Sequence, residues 1–285
     1  MKRAIIIQKD LEETHTLEGL TEVFESIASL HISKIRGRVV ASKAFFDELW
    51  QTYQAIRIDP KDRLKRNNGL ETKTRDVFLA ITGEGKLSGY IDEQIIDTLL
   101  DAHKTAPDTD IVVIGAHGLS QLRRRGADVA SSFPMPVSDE VFSVADIIER
   151  LNTYRRITVF YQTYVSLRVQ KIASIELISA VHDMSESVDE EAETLNPHDY
   201  IFEPDLHKIA DYMESVMMGV ALIQLIMESK LAQYATRFTN MSRAKHRAGE
   251  LTLAYQRQFL RSKRAENDDR LKEVINAVRR LERSA

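Results

Sequence analysis

Gly83-Glu84-Gly85-Lys86 is the stretch of this chain that comes nearest to a phosphate-cradling loop. It follows an apolar run with strand character and precedes a helical pattern, where backbone amides and a lysine can wrap phosphate oxygens. A P-loop needs a glycine, four residues, then Gly-Lys-Ser/Thr, so that the hydroxyl can hold magnesium. Here Leu87 follows the lysine and the four-residue loop is missing. The pattern argues against a nucleotide site and leaves a simple turn as the plain reading.

The other chemistry-bearing residue types do not assemble. The eight histidines show no metal-ligand spacing, and His182 and His198 border an acidic stretch as solvated loop residues. There is neither a His-Glu-x-x-His helix nor a Gly-x-Ser-x-Gly elbow. The absence of cysteine excludes disulfides, thiolate metal sites and thiol redox control. No cluster suggests a nucleophile or a general base, so we expect no catalytic residue, no cofactor and no metal. One charged stretch does stand out. Residues 236–264 carry Arg237, Arg243, Lys245, Arg247, Arg257, Arg261, Lys263 and Arg264 against Glu250, a local net charge of +7 in a chain of net −4. Read plainly, this is a solvated helix face. A nucleic-acid arm is disfavoured by the apolar stripe through the same residues and by the negative chain.

The elements that position these residues are dominated by one feature. The chain has no proline after Pro204, and from Asp205 onward it keeps a seven-residue apolar repeat: Met213, Val220, Met227, Tyr234, Met241, Ala248 and Tyr255. Secondary positions fall three or four residues later, at Val216, Ile223, Leu231, Phe238, Ala244 and Leu251. A sustained 3.5-residue repeat holds one helical stripe against a partner. About 80 residues at ~1.5 Å each would make a helix on the order of 120 Å long. A second long helix is expected from about Thr16 to Ile58, with Ile32, Ile35, Val39, Phe46, Leu49, Tyr53 and Ile56 on its apolar face and Gly37 tolerated inside it. A short strand is expected at Ala4–Ile7.

Between the long helices the period changes. Asp76–Thr82 and Asp110–Gly115 read as buried strands, Asp92–Lys104 as a helix with Ile95, Ile96, Leu99 and Leu100 on one face, and a short helix ends at Arg123-Arg124-Arg125-Gly126. Phe142–Tyr154 reads as a further helix, and Arg156–Tyr164 and Val169–Ile178 as strands able to pair. Residues 183–194, with six acids and no base, read as a solvated loop. The expected fold class is α/β plus a long antiparallel coiled coil: residues 1–58 supply the first helix, 59–204 a small Rossmann-like α/β foot, and 205–285 the second helix. The two long helices enter and leave the same middle segment, so they run antiparallel and form a rod. The second helix projects past the first beyond Tyr255. The N-terminus is too short in apolar residues for a signal peptide, and no run approaches membrane-spanning length, so a soluble intracellular chain is expected.

Several segments, in order, resemble the gamma subunit of F-type rotary ATP synthases, the central stalk. Tyr200-Ile201-Phe202-Glu203-Pro204 leads into the last helix, Met227 to Phe238 is similar to the family's "ESKASEQAARM", and Leu251 to Arg257 to its "LTLxYNR". Ser33-Lys34-Ile35-Arg36 and Ala41 to Phe45 resemble "SKMRR" and "ASRPY". Ile81 to Gly89 sits where the family has "ITSDRGLCGG", with Val113-Ile114-Gly115 and Arg123 to Gly126 following. The departures are local: Phe259 to Arg264 replaces the family's "RQAAIT", and about fourteen residues precede the usual start.

The resemblance implies a rotor subunit of a proton-translocating ATP synthase that carries torque between a membrane ring and a catalytic ring and is not catalytic itself. It implies partners of three kinds: catalytic alpha/beta-type ring subunits, a small epsilon-type stalk subunit and a membrane c-type ring. It also implies a peripheral place on the cytoplasmic side of the cell membrane. Candidate ring-facing residues are Lys34, Arg36, Glu84, Lys86, Arg257, Arg261, Lys263 and Arg264, and foot contacts are expected from Leu122 to Gly126. Stiffness would come from Ile32, Ile35, Val39 and Phe46 packing on Met227, Tyr234 and Met241 or their neighbours. A rotor that hydrolyses ATP for another motor task and a non-catalytic coiled-coil scaffold are the alternatives.

Overall fold

The structure, a computed structural model, describes residues 4–55, 75–85, 90–136, 144–185, 203 and 206–284. The elements are α1 (Ala4–Ala55), β1 (Val77–Ile81), α2 (Ile91–Thr105), β2 (Asp110–Ile114), α3 (Ala116–Arg124), β3 (Ser131–Phe133), α4 (Ala145–Leu151), β4 (Ile157–Tyr164), β5 (Gln170–Glu176), α5 (Leu177–Ser185) and α6 (Leu206–Ser284). The chain forms two compact units. Met1–Ile27 with Phe238–Ala285 make the first, and Ala28–Arg237 the second.

The second unit is built on a five-stranded sheet of order β3-β2-β1-β4-β5. The first four strands are parallel and β5 returns antiparallel to β4. Alternation of side chains along each strand sends them to two cores. Val77, Leu79 and Ile81 of β1 pack with Val112, Ile114, Val159 and Tyr161 under α4, α5 and the segment of α6 carrying Ala221, Leu222, Leu225 and Ile226. Ala80, Ile111, Val113 and Phe160 pack on the other face under Ile95, Ile96 and Leu99 of α2 and Leu122 of α3. Helices on both faces are what a parallel sheet requires, since its strands are apolar on both sides. The acids Asp92 and Glu93 open α2, and His103 and Lys104 close it, the arrangement that complements the helix dipole.

The long helices meet antiparallel within this unit. Ile32, Ile35 and Val39 cluster with Met227, Leu231 and Tyr234. Further along α1, Phe46 is fully buried on Met217 and Val220, and the Tyr53 hydroxyl donates to Glu214. The inward face of α1 here advances by alternating threes and fours, Ala28, Ile32, Ile35, Val39, Ser42, Phe46, Leu49 and Tyr53, the seam of a left-handed coiled coil. Phe46 therefore packs on Met217 and Val220, not on the methionines further along α6 that the repeat suggested.

In the first unit the inward faces of the two helices carry different chemistry. On α1 the face runs Ala4, Ile7, Leu11, Thr14, Glu18, Thr21, Glu25; on α6 it runs Phe238, Met241, Lys245, Ala248, Thr252, Tyr255, Phe259, Ser262. Lys245 reaches across to Glu22 at 2.9 Å and Glu25 at 3.5 Å. Large apolar residues point outward instead: Leu17, Leu20, Val23, Phe24 and Ile27 on α1, and Leu251, Leu253 and Leu260 on α6.

Five expectations are corrected. Ala4–Ile7 is not a strand but the first turns of α1, because Ala4 and Ile7 are seam residues of a helix with a partner. The first helix thus starts twelve residues before Thr16, and seam burial on α6 reaches Ser262 where projection was expected from Tyr255. Leu251 is exposed and Thr252 takes the seam place, since the 3-4 spacing and not apolarity sets which residue faces inward. Finally, α6 does contain an 18-residue window of mean hydropathy 1.4, long and apolar enough for a membrane. Half of that window is buried inside the protein, and the Ala221–Ile226 stretch of α6 lies on the sheet. The structure adds β3 and α5; residues 183–185 of the expected acidic loop close α5, and 186–194 lie outside the described residues. So do Phe142 and Ser143 of the expected helix; the motif around Tyr200–Pro204 is likewise outside, apart from Glu203.

Candidate functional site

Parallel sheets place binding chemistry at the carboxyl ends of their strands, and here that edge is closed by the protein's own groups. Thr82, just after β1, donates its hydroxyl to Ile114 O at 2.9 Å and accepts the Gly118 N–H at 3.0 Å. The close approach demands two glycines. Gly115 has φ 105°, and an added Cβ would lie 2.2 Å from Thr82 O; at Gly118 it would lie 2.3 Å from Thr82 Oγ1. Glu84 accepts the Ala116 N–H at 3.4 Å and the Met135 N–H. Its carboxylate therefore sits on the first amide of α3, where a nucleotide-binding fold would seat a phosphate.

Beside it lies a buried polar network that no sequence pattern announced. Asp92 is fully buried at the start of α2. One of its oxygens accepts Gln162 Nε2 at 2.8 Å and the Gly83 N–H at 3.3 Å; the other meets His117 Nδ1 at 2.8 Å. Gln121 Nε2 stands 3.3 Å from Glu93 and 3.4 Å from His117 Nε2. The members come from β1's loop, α2, α3 and β4, so neither spacing nor motif could bring them together in advance. The arrangement braces four elements. It offers no nucleophile, and no group of three metal-ligating side chains exists among the described residues.

A third polar set fixes α6 to the sheet. Thr163 of β4 donates its hydroxyl to Glu228, Lys230 donates to Pro136 O, Thr236 donates to Gln170 Oε1 at 3.1 Å, and Asn152 donates to Ser215 at 3.3 Å. Burial pushes the Tyr161 phenol up to about 12, with the carboxylates of Glu228 and Asp183 adding to the shift.

The candidate contact residues divide between the units. In the second, Lys34 and Arg36 are exposed on either side of the buried Ile35, and Glu84 is exposed yet engaged as described. Gly85 approaches the Arg237 guanidinium, and that guanidinium lies 5.4 Å from the Tyr234 ring centre. Lys86 lies outside the described residues. In the first unit Arg257, Arg261, Lys263 and Arg264 are all exposed, with Lys263 Nζ 5.9 Å from the Phe259 ring. Within the basic stretch 236–264, Lys245 is engaged by Glu22 and Glu25. Its hydrogen bond holds the Glu22 carboxyl below the usual range and raises its own ammonium. The expected foot contact narrows too: Leu122 is fully buried, while Arg123 to Gly126 are exposed and Arg125 pairs with Asp97 at 2.8 Å.

The long terminal helices and the five-stranded sheet agree with the resemblance drawn from the sequence. A family model described as ATP synthase matches residues 5–281. The ATP synthase gamma chain of Staphylococcus epidermidis is 23% identical over 97% of this chain and 98% of its own length. That of Nostoc is 23% identical over 96% and 98%, and that of Legionella pneumophila 22% over 96% and 98%. Among solved structures, a chain of the Euglena gracilis mitochondrial ATP synthase described as OSCP/F1/c-ring superposes with TM-score 0.63 at 14% identity, covering 97% of this chain and 94% of that one. A chain of the Tetrahymena thermophila central stalk and c-ring gives 0.55 at 16% identity, over 79% and 99%. With a family match that runs almost from end to end, the chain belongs to the ATP synthase family as a gamma-type, non-catalytic central-stalk subunit.

Proposed function

We propose that this chain is the rotor of a proton-translocating ATP synthase, carrying torque between a membrane c-type ring and a ring of alpha/beta-type subunits in which ATP chemistry occurs. The observation that carries this is α6: one 79-residue helix that is part of the sheet's core near Leu225 and ends in a stretch, Glu266 to Arg280, exposed at every residue. Outward apolar residues along the first unit, including Leu17, Phe24 and Leu260, call for an enclosing partner, since isolated soluble surfaces rarely keep such stripes. In this reading 1–58 and 205–285 serve as shaft and 59–204 as foot, with a small epsilon-type subunit and the membrane ring contacting the foot near Arg123 to Gly126. The complex then lies peripherally on the cytoplasmic side of the cell membrane.

Lys34, Arg36, Glu84, Lys86, Arg257, Arg261, Lys263 and Arg264 are the proposed ring-facing residues. Exposed ion pairs are each worth about 0–1 kcal/mol, weak enough to guide a turning shaft without locking it. Reversing Arg257, Arg261 and Arg264 together to Glu leaves the chain folded, because all three are solvent-exposed, and lowers ATP-driven proton pumping per ATP hydrolysed in the assembled complex. Unchanged pumping in that variant refutes the assignment.

A further inference from the structure

Between Met217 and Ala235, α6 is buried on all sides. Val220, Ala221, Leu222, Leu225, Ile226, Met227, Leu231 and Ala232 spread around its circumference against the sheet, α4 and α1. Apolar contact is non-directional, so a helix greasy on every face gains little from one azimuth over another. Buried polar groups are what specify register in such settings. Two of them sit within this segment on opposite sides. Glu228 accepts the Thr163 hydroxyl from β4, and Lys230, almost fully buried, donates to Pro136 O in the segment after β3. Residues two apart on a helix point about 200° away from each other. The two bonds therefore grip α6 from both flanks of the sheet, one through an anion and one through a cation, and turning the helix either way breaks both.

We infer that Glu228 and Lys230 are positioning residues that fix the rotation of α6 about its own axis, a two-sided clamp through which the foot drives the shaft. The inference rests on the rotor reading for its consequence but not for its geometry. Thr236, donating to Gln170 Oε1 two turns further on, adds a third tie on the β5 side. The chain's lack of cysteine makes the test direct. Tyr212→Cys on the exposed face of α6 and Thr98→Cys on α2 accept a spin-label pair, and pulsed electron paramagnetic resonance reads their distance distribution in the full chain.

The parent pair gives one narrow distribution. Thr163→Val with Lys230→Met, which keeps volume and removes both bonds, broadens or shifts it while the chain stays folded; Lys230→Arg keeps it narrow. If the double variant does not fold, Thr163→Val alone is read in the same way. A distribution as narrow as the parent's in the bond-removing variant overturns the clamp. In the assembled complex the double variant loses proton pumping per ATP while hydrolysis persists. A broadened distribution with full pumping overturns the clamp's part in torque. The rotor reading fails separately, if the unmodified chain does not assemble with ATP-hydrolysing subunits.

Discussion

Removing the Asp92 carboxylate should destabilise the second unit through the carboxyl edge of its sheet. Asp92→Ala orphans three donors at once: Gln162 Nε2, the Gly83 N–H and His117 Nδ1. The first two are buried and cannot turn to water; His117 is partly exposed and can. At about 1–3 kcal/mol for each of the two buried groups left unpaired, the expected cost is about 2–6 kcal/mol. Gln162 already has its Oε1 without a hydrogen-bond partner, so its side chain has no second bond to fall back on. Asp92→Asn is the control. It keeps one acceptor for Gln162 and Gly83 and presents an amide to His117, so it should cost about 1 kcal/mol, close to one net hydrogen bond. Urea unfolding of the full chain, followed by far-ultraviolet circular dichroism, reads both. The midpoint should fall in the order parent, Asn, Ala with an unchanged slope. A cost for Asp92→Ala below about 0.5 kcal/mol, the range of an ordinary surface change, would show that the network is not a brace.

Phe46→Ala should cost about 3–5 kcal/mol, because the ring is fully buried on Met217 and Val220 and leaves a cavity between the long helices; the emission of Trp50, whose ring stacks 6.2 Å from Phe46, should report it. Gly118→Ala should destabilise by about 1–3 kcal/mol, since its Cβ would overlap the Thr82 side chain, and a melting temperature equal to the parent's would contradict the close approach. Alkaline titration at the phenolate absorption band should show one of the nine tyrosines ionising only near 12, and Tyr161→Phe should delete that step. The sign follows from the raised value: with an ordinary tyrosine near 10 in the unfolded chain, Tyr161's contribution is whole below 10 and is lost as pH rises towards 12.

Much of the fold was legible because periodicity reports burial. The runs at Asp76–Thr82 and Asp110–Gly115 lie within about a residue of β1 and β2, and the expected pairing of Arg156–Tyr164 with Val169–Ile178 is the β4–β5 hairpin. Periodicity fails where a buried face is not apolar. The seam through Thr14, Glu18, Thr21 and Glu25 carries too little hydrophobicity to mark a helix face, and Leu251 is apolar and exposed where the neighbouring Thr252 is buried in the seam. The three-residue β3, Ser131–Phe133, is short and sits at a sheet edge with only its last residue apolar, giving no pattern. The site residues were harder. Glu84 stood out by its glycines, but its partners Ala116 and Met135 are 32 and 51 positions away. Asp92, His117 and Gln162 meet only once the sheet is built. Arg257, Arg261, Lys263 and Arg264 are exposed because they fall off the seam that runs through Tyr255, Phe259 and Ser262.

The most direct measurement is purification of the full chain from its native cells under conditions that keep complexes whole, with the co-migrating chains identified by mass spectrometry. Stoichiometric recovery of nucleotide-binding ring subunits together with a membrane-embedded ring is the result expected of a central-stalk rotor. Recovery of the chain alone, or only as an oligomer of itself, would contradict it.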